Sequence, residues 1–167
     1  MNPDLFWIPG PWSGRLAIIT RPRGGDWLVD EVKGWRRTGI DMVVSLLETD
    51  EAAQLDLARE AEAAEASNVR FVSFPIPDRG APASTTAALS LIRVIADSLR
   101  NSKNVAVHCR QGIGRSGMIA AGVLVNSVIT PEQAIETVSL ARGQMIPETR
   151  GQRQWLKELP SEQPLVA

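Results

Sequence analysis

Four short apolar runs, Leu16–Thr20, Met42–Leu47, Val69–Phe74 and Val105–His108, recur along the chain, separated by longer stretches with helical spacing of apolar positions. Continuous apolar runs of this length suit strands covered on both faces, as in a largely parallel sheet. Between them the pattern predicts helices over Trp27–Arg37, Asp50–Ala66 and Ser84–Arg100; in the last, Leu91, Ile95 and Leu99 share one face. The stretch Ser116–Val128 has few polar residues and small ones at Gly117, Ala120, Ala121 and Gly122, so it reads as a buried helix in close contact with its neighbours. Thr130-Pro131-Glu132-Gln133 places threonine at an N-cap, proline at the first helical position and glutamine at the third, opening a helix that ends near Gly143. A final helix is predicted over Thr149–Leu159. The alternation predicts an α/β fold: one domain over residues 1–160, with a central, mostly parallel twisted sheet flanked by helices. Residues 161–167 read as a disordered tail.

Composition narrows what such a domain can do. The chain has 167 residues, 44% of them hydrophobic, which is enough to bury a core. Its net charge is -1 and its 18 basic residues are scattered, so no broad nucleic-acid footprint or polybasic membrane patch is expected. Any anion recognition must be local. There is no signal-like N-terminus and no apolar run of membrane-spanning length, so a soluble cytoplasmic protein is expected. One cysteine and one histidine leave no internal disulfide and no metal cluster built from those residues. The five tryptophans, Trp7, Trp12, Trp27, Trp35 and Trp155, read as packing residues.

Chemistry concentrates in His108-Cys109-Arg110-Gln111-Gly112-Ile113-Gly114-Arg115-Ser116. Five residues separate Cys109 from Arg115, and the segment joins a predicted strand to a predicted helix start. Such a turn aims backbone N–H groups and the positive end of a helix dipole at one point, making an anion site without net charge. Gly112 and Gly114 permit positive φ and close backbone approach. Arg110, Gln111, Gly112, Ile113 and Gly114 would cradle a phosphate, and Arg115 would grip two of its oxygens through a planar fork. The same field favours an ionised sulfur at Cys109, a nucleophile able to attack phosphorus. Ser116, next in the chain, is placed to donate a hydrogen bond to that sulfur. His108, on the strand, reads as a buried support.

A second segment, Pro75-Ile76-Pro77-Asp78-Arg79-Gly80-Ala81-Pro82, follows a strand and is stiffened by three prolines. Loops at the carboxyl ends of strands are where α/β active sites gather, and Asp78 is its one carboxyl group. As general acid it would protonate a leaving oxygen, then deprotonate the attacking water.

His108-Cys109-x5-Arg115-Ser116 resembles the signature of the protein tyrosine phosphatase superfamily, particularly its small dual-specificity branch. The similarity extends from about Trp12 to Leu159. Thr130-Pro131-Glu132-Gln133-Ala134-Ile135, with Arg142-Gly143 downstream, is similar to the kinase-associated phosphatases. The resemblance implies a cysteine phosphatase fold and hydrolysis of phosphate monoesters on a phosphoprotein or phosphopeptide through a phosphocysteine. It implies no cofactor and no metal; a monomer is expected. Phosphotyrosine is the first expected substrate, with phosphoserine and phosphothreonine beside it, because no match exists to the tyrosine-containing recognition loop of the tyrosine-specific branch. The family also places glutamine near the last helix to orient water. Gln152 matches the later of two such positions, while the earlier one is Glu148.

Three alternatives stay open: a phosphoinositide phosphatase, an RNA 5′-phosphatase, and a non-catalytic phosphoresidue-binding module. A dinucleotide site does not. Gly112-Ile113-Gly114-Arg115-Ser116-Gly117 satisfies G-x-G-x-x-G, but the acidic strand end required about twenty residues later is replaced by the capped helix after Thr130.

Overall fold

The computed structural model describes residues 4–127 and 129–160. Its centre is a five-stranded sheet in the order β1-β2-β5-β3-β4, formed by β1 Leu5–Ile8, β2 Leu16–Ile19, β3 Met42–Ser45, β4 Arg70–Ser73 and β5 Val105–His108. Strands β2, β5, β3 and β4 run parallel, and β1 pairs antiparallel with β2. Of the four strands expected from apolar runs, Val105–His108 is present with the bounds read for it and the other three are shortened. β1 is an addition: only four residues long, it has no helix after it to mark a strand–helix unit, and it is read only through its pairing with β2.

Among the described residues seven α-helices cover the sheet: α1 Leu28–Arg37, α2 Thr49–Gln54, α3 Glu60–Ala66, α4 Thr85–Arg100, α5 Gly114–Asn126, α6 Pro131–Arg142 and α7 Arg150–Lys157. Strand residues alternate between two apolar clusters. Leu16, Ile18, Met42, Val44, Val105 and Val107 meet α4–α7, whereas Ile19, Val43 and Ala106 meet α1 and α3. Ile92, Ile95 and Leu99 of α4 are fully buried in the first cluster, where each large aliphatic side chain contributes about 1.5–3 kcal/mol. Every residue of α5 is buried, which makes it the central helix of that layer. No helix among the described residues is long and apolar enough to cross a membrane.

Two expectations are corrected. The helix predicted over Asp50–Ala66 is split into α2 and α3 by a turn in which Asp56 takes φ 58°. The alanine- and glutamate-rich sequence favours helix throughout, but Leu57 turns into the second cluster and the Asp56 carbonyl accepts the Gly25 amide at 3.0 Å. Trp27 is not a packing residue: it is 56% exposed, and the Arg23 guanidinium lies 4.2 Å above its ring. Trp35 and Trp155 are buried, Trp7 and Trp12 half-buried. The predicted helix end at Val128 and the 161–167 tail lie outside the described residues.

Candidate active site

The turn from β5 into α5 occupies Cys109–Ile113 at the carboxyl ends of the parallel strands. Cys109 is buried, and its Sγ accepts the Gly112 amide at 3.3 Å. That amide reaches the sulfur because Gly112 takes φ 71°, a left-handed conformation that a side chain resists. Gly114 has no such φ, contrary to the expectation for both glycines. Its requirement is space, since a β-carbon there would lie 3.1 Å from the Gln152 amide and from Glu148 Oε2. Outside the turn, Arg142 of α6 donates from Nε to Gly112 O at 3.0 Å and from Nη2 to Gln111 O at 3.3 Å. Its guanidinium stacks 4.1 Å from the Phe6 ring. These bonds tie two carbonyls of the turn to α6.

Arg115, in the first turn of α5, is only 2% exposed. Its Nη1 donates to Glu51 Oε1 at 2.5 Å, Ile76 O at 2.9 Å and Leu46 O at 3.4 Å. Its Nη2 donates to Glu51 Oε2 at 3.0 Å and to Asp78 Oδ1 at 3.2 Å. Burial pulls the Arg115 pKa down, but the hydrogen bond to Glu51 and the charges of Cys109, Glu51 and Asp78 outweigh it and leave it raised. The same hydrogen bond is the main reason the Glu51 carboxyl lies below its ordinary range; burial opposes the shift, and the Glu48 amide and the Arg115 charge reinforce it. Glu51 sits in the first turn of α2, where Oε1 also accepts the Glu48 amide at 3.1 Å. It is therefore fixed from two sides.

Behind the turn, His108 is fully buried and its Nε2 lies 2.6 Å from Glu60 Oε2 of α3. The Trp35 ring packs at 6.3 Å between centroids. Ser116 Oγ is buried with no hydrogen-bond partner among the described residues. Gln152 is buried with both ends of its amide committed: Oε1 accepts the Thr149 amide at 3.2 Å, and Nε2 donates to Gly80 O at 3.0 Å. Thr149 Oγ1 donates to Arg79 O at 3.5 Å. The start of α7 is thus stitched to the loop that carries Asp78.

These elements enclose a cleft of about 150 Å³ lined by Cys109, Arg110, Gln111, Gly114 and Arg115, by Asp78 and Arg79, and by Glu148. Ligand pockets commonly start at roughly 300 Å³, so this volume suits a phosphoryl group and little more. Among the described residues no group of three or more His, Cys, Asp or Glu side chains is arranged to hold a metal.

A family model described as "Polymorphic toxin system, DSP-PTPase phosphatase" matches residues 19–128. The chain belongs to this DSP-PTPase phosphatase family. Mouse protein tyrosine phosphatase domain-containing protein 1 is 36% identical over 129 residues, covering 72% of this chain and 17% of that protein. Rat cyclin-dependent kinase inhibitor 3 is 34% identical over 86 residues, covering 50% of this chain and 40% of that protein. The chain thus spans less than half the length of either relative. Among solved structures, Tk-PTP in its active form is 31% identical, with TM-score 0.79, and covers 95% of this chain and 97% of its own. Kinase associated phosphatase carrying a serine for its catalytic cysteine aligns with TM-score 0.87 at 20% identity, covering 95% and 94% of the two chains. That second likeness is one of fold.

Of the residues singled out in this DSP-PTPase chain by sequence, Cys109, Arg110, Gln111, Gly114, Arg115 and Asp78 share the cleft. Gly112 faces the sulfur, Ile113 packs on the larger core cluster, and His108, Ser116 and Gln152 stand behind. Sequence reading missed Glu51 and Glu60 and gave Arg142 no contact. An acid in the first turn after a strand whose end faces the loop was the one available signal for Glu51.

Proposed function

We propose that this chain is a cysteine-dependent phosphatase that hydrolyses phosphate monoesters, phosphotyrosine first, with phosphoserine and phosphothreonine beside it, on proteins. The observation that carries the reading is the convergence of the Cys109 sulfur, the Arg115 guanidinium and the Asp78 carboxylate on one small cleft. Phosphoryl transfer spreads charge over three equatorial oxygens, so most of the catalysis comes from donors already aimed at them. Loop amides between Cys109 and Arg115 supply some of those donors. Arg115 supplies two more: Nε–H carries no partner among the described residues, and the Nη2–H now on Asp78 is available for exchange with a phosphate oxygen.

Cys109 attacks phosphorus, the ester bond breaks, and Asp78, entering the step as the protonated carboxylic acid, gives its proton to the leaving oxygen and is left as a carboxylate. Ser116 Oγ, buried without another partner, is the hydroxyl at hand to stabilise the sulfur when the phosphocysteine is later cleaved. His108 and Glu60 brace the strand end behind the nucleophile. A protein substrate is favoured over a phosphoinositide because Arg110 is the loop's one cation besides Arg115. The test is release of nitrophenolate from para-nitrophenyl phosphate in the presence of a chelator. Turnover by the protein and its loss in Cys109→Ser are expected; turnover by the serine variant at the parental rate contradicts the reading and leaves a binding module as its replacement.

A further inference from the structure

The end of the sheet opposite Cys109 carries a second concentration of charge that the chemistry at Cys109 does not use. Met42 of β3 is in register with Arg70 of β4 and with Val105 of β5, so the amino-terminal ends of these three parallel strands lie side by side. Beside them is a hollow of about 310 Å³, against about 150 Å³ for the Cys109 cleft. Its lining includes three cations, Arg36, Arg70 and Lys103, with Asp41, Asn68 and Ser98.

Asp41 is the one carboxylate of that lining, and both its oxygens are spent. Oδ1 accepts Arg36 Nη1 at 2.9 Å, and Oδ2 accepts the Asn104 backbone amide at 2.8 Å. Burial raises the Asp41 pKa, but the Asn104 amide, the Arg36 hydrogen bond and the charges of Arg36 and Lys103 outweigh it and leave it lowered. Asp41 is therefore an ion that offsets Arg36 and leaves two positive charges over. The side chains of Arg70 and Lys103 make no hydrogen bond or ion pair among the described residues, and neither do the Asn68 side-chain amide and the Ser98 hydroxyl. Carbonyls at the ends of the flanking helices are already taken: Ile40 O accepts Arg36 Nη1 at 3.1 Å, and Ser98 O accepts the Lys103 backbone amide at 2.9 Å.

Two uncompensated cations on one concave surface, with neutral donors beside them, suit a ligand with two negative groups. Arginine meets phosphoryl oxygens through its planar fork and lysine meets them as a point charge. Volume narrows the choice further: the Cys109 cleft suits one phosphoryl group, and a hollow about twice as large suits two. Concavity on this scale favours a small molecule over a protein segment. With Asp41 spent, the lining has no free carboxylate to act as a base, so the ligand is bound unchanged.

We propose that this hollow binds a small diphosphate, free or esterified to a nucleoside, through Arg70 and Lys103, with Asn68 and Ser98 as further donors. The site is separate from the Cys109 cleft, and it stands whether or not Cys109 is a nucleophile.

The experiment is isothermal titration calorimetry of the full chain at physiological ionic strength, where loose surface attraction is screened. The ligands are methylenediphosphonate, whose P–C–P bridge resists hydrolysis, and adenosine 5′-methylenediphosphonate; the tighter of the two names the source of the diphosphate. A saturable site is expected, weakened about 10-fold by Arg70→Ala and again by Lys103→Ala, as loss of a charge-assisted hydrogen bond implies. Both side chains are exposed, so both variants should fold. Each should keep the parental kcat and KM for para-nitrophenyl phosphate, and the parental inhibition constant of the diphosphonate against that substrate. Absence of saturable heat at millimolar ligand overturns the proposal, leaving a solvated cluster of charges. A single dissociation constant equal to the inhibition constant and untouched by both variants also overturns it, because the ligand then occupies the Cys109 cleft alone.

Discussion

Glu51 and Asp78 hold the same guanidinium in opposite ways. Glu51 meets Arg115 through both oxygens, at 2.5 and 3.0 Å, with its side chain only 10% exposed, and a backbone amide fixes it further. Asp78 makes one contact at 3.2 Å, is 52% exposed, and rides on a loop. A buried bidentate pair sets where the fork of Arg115 lies, because removing either partner strands a charge in the interior. A single exposed contact costs little to exchange and leaves the carboxyl free to serve a leaving group. In the proposed mechanism one carboxylate is scaffold and the other is chemistry, although the two are bonded to the same side chain.

The contrast can be broken in several places. Glu51→Ala should lower unfolding free energy by about 3–5 kcal/mol in denaturant titration, and activity should fall with it because Arg115 loses its aim. Asp78→Asn should separate the two readouts. Stability should stay within about 0.5 kcal/mol of the parent. Turnover of esters with poor leaving groups should drop by roughly 10²–10⁴-fold, and nitrophenyl phosphate should suffer least. A large stability loss in this variant would erase the distinction from Glu51.

Acid offers a milder test. The hydrogen bond from Arg115 holds the Glu51 carboxyl below its ordinary value. Its contribution to stability is therefore complete above that unfolded value and is lost as pH falls through the lower folded one. Thermal midpoints should decline across that window, and Glu51→Gln should flatten the decline while Asp78→Asn keeps it. The smallest effect expected is that of Arg142→Ala, which removes two hydrogen bonds to loop carbonyls. About 1 kcal/mol in stability and a several-fold rise in KM for phosphate esters, with kcat less affected, should result.

How much of this was legible in the chain follows the range of the interaction. The loop Cys109–Arg115 is contiguous, and its chemistry is written in spacing and glycines, so its cysteine, arginine and strand-to-helix setting could be read directly. The three inner strands, β2, β3 and β5, were legible because every one of their residues is buried, which forces unbroken apolar runs; β4, at the sheet edge, is only partly buried and was read from its apolar Val69–Phe74 surroundings. The place of Asp78 beside the cleft was legible because its proline-rich loop follows a strand. Glu51, Glu60 and Arg142 were not, because each acts across the fold, on Arg115, His108 and the Gln111–Gly112 carbonyls respectively. Apart from its place in the first turn after a strand, nothing local distinguishes Glu51 from an exposed helix glutamate. The break between α2 and α3 was hidden for the same reason, since the contact at the break comes from Gly25, in the short turn that leads into α1.

The central claim is that Cys109 carries the phosphoryl group during turnover. Acid quenching of the enzyme in the steady state with a phosphotyrosyl peptide, followed by peptide mapping, tests it most directly. The account predicts a phosphoryl adduct on the peptide containing Cys109, absent from Cys109→Ser; turnover with that peptide unmodified throughout, or with the adduct on another residue, would contradict it.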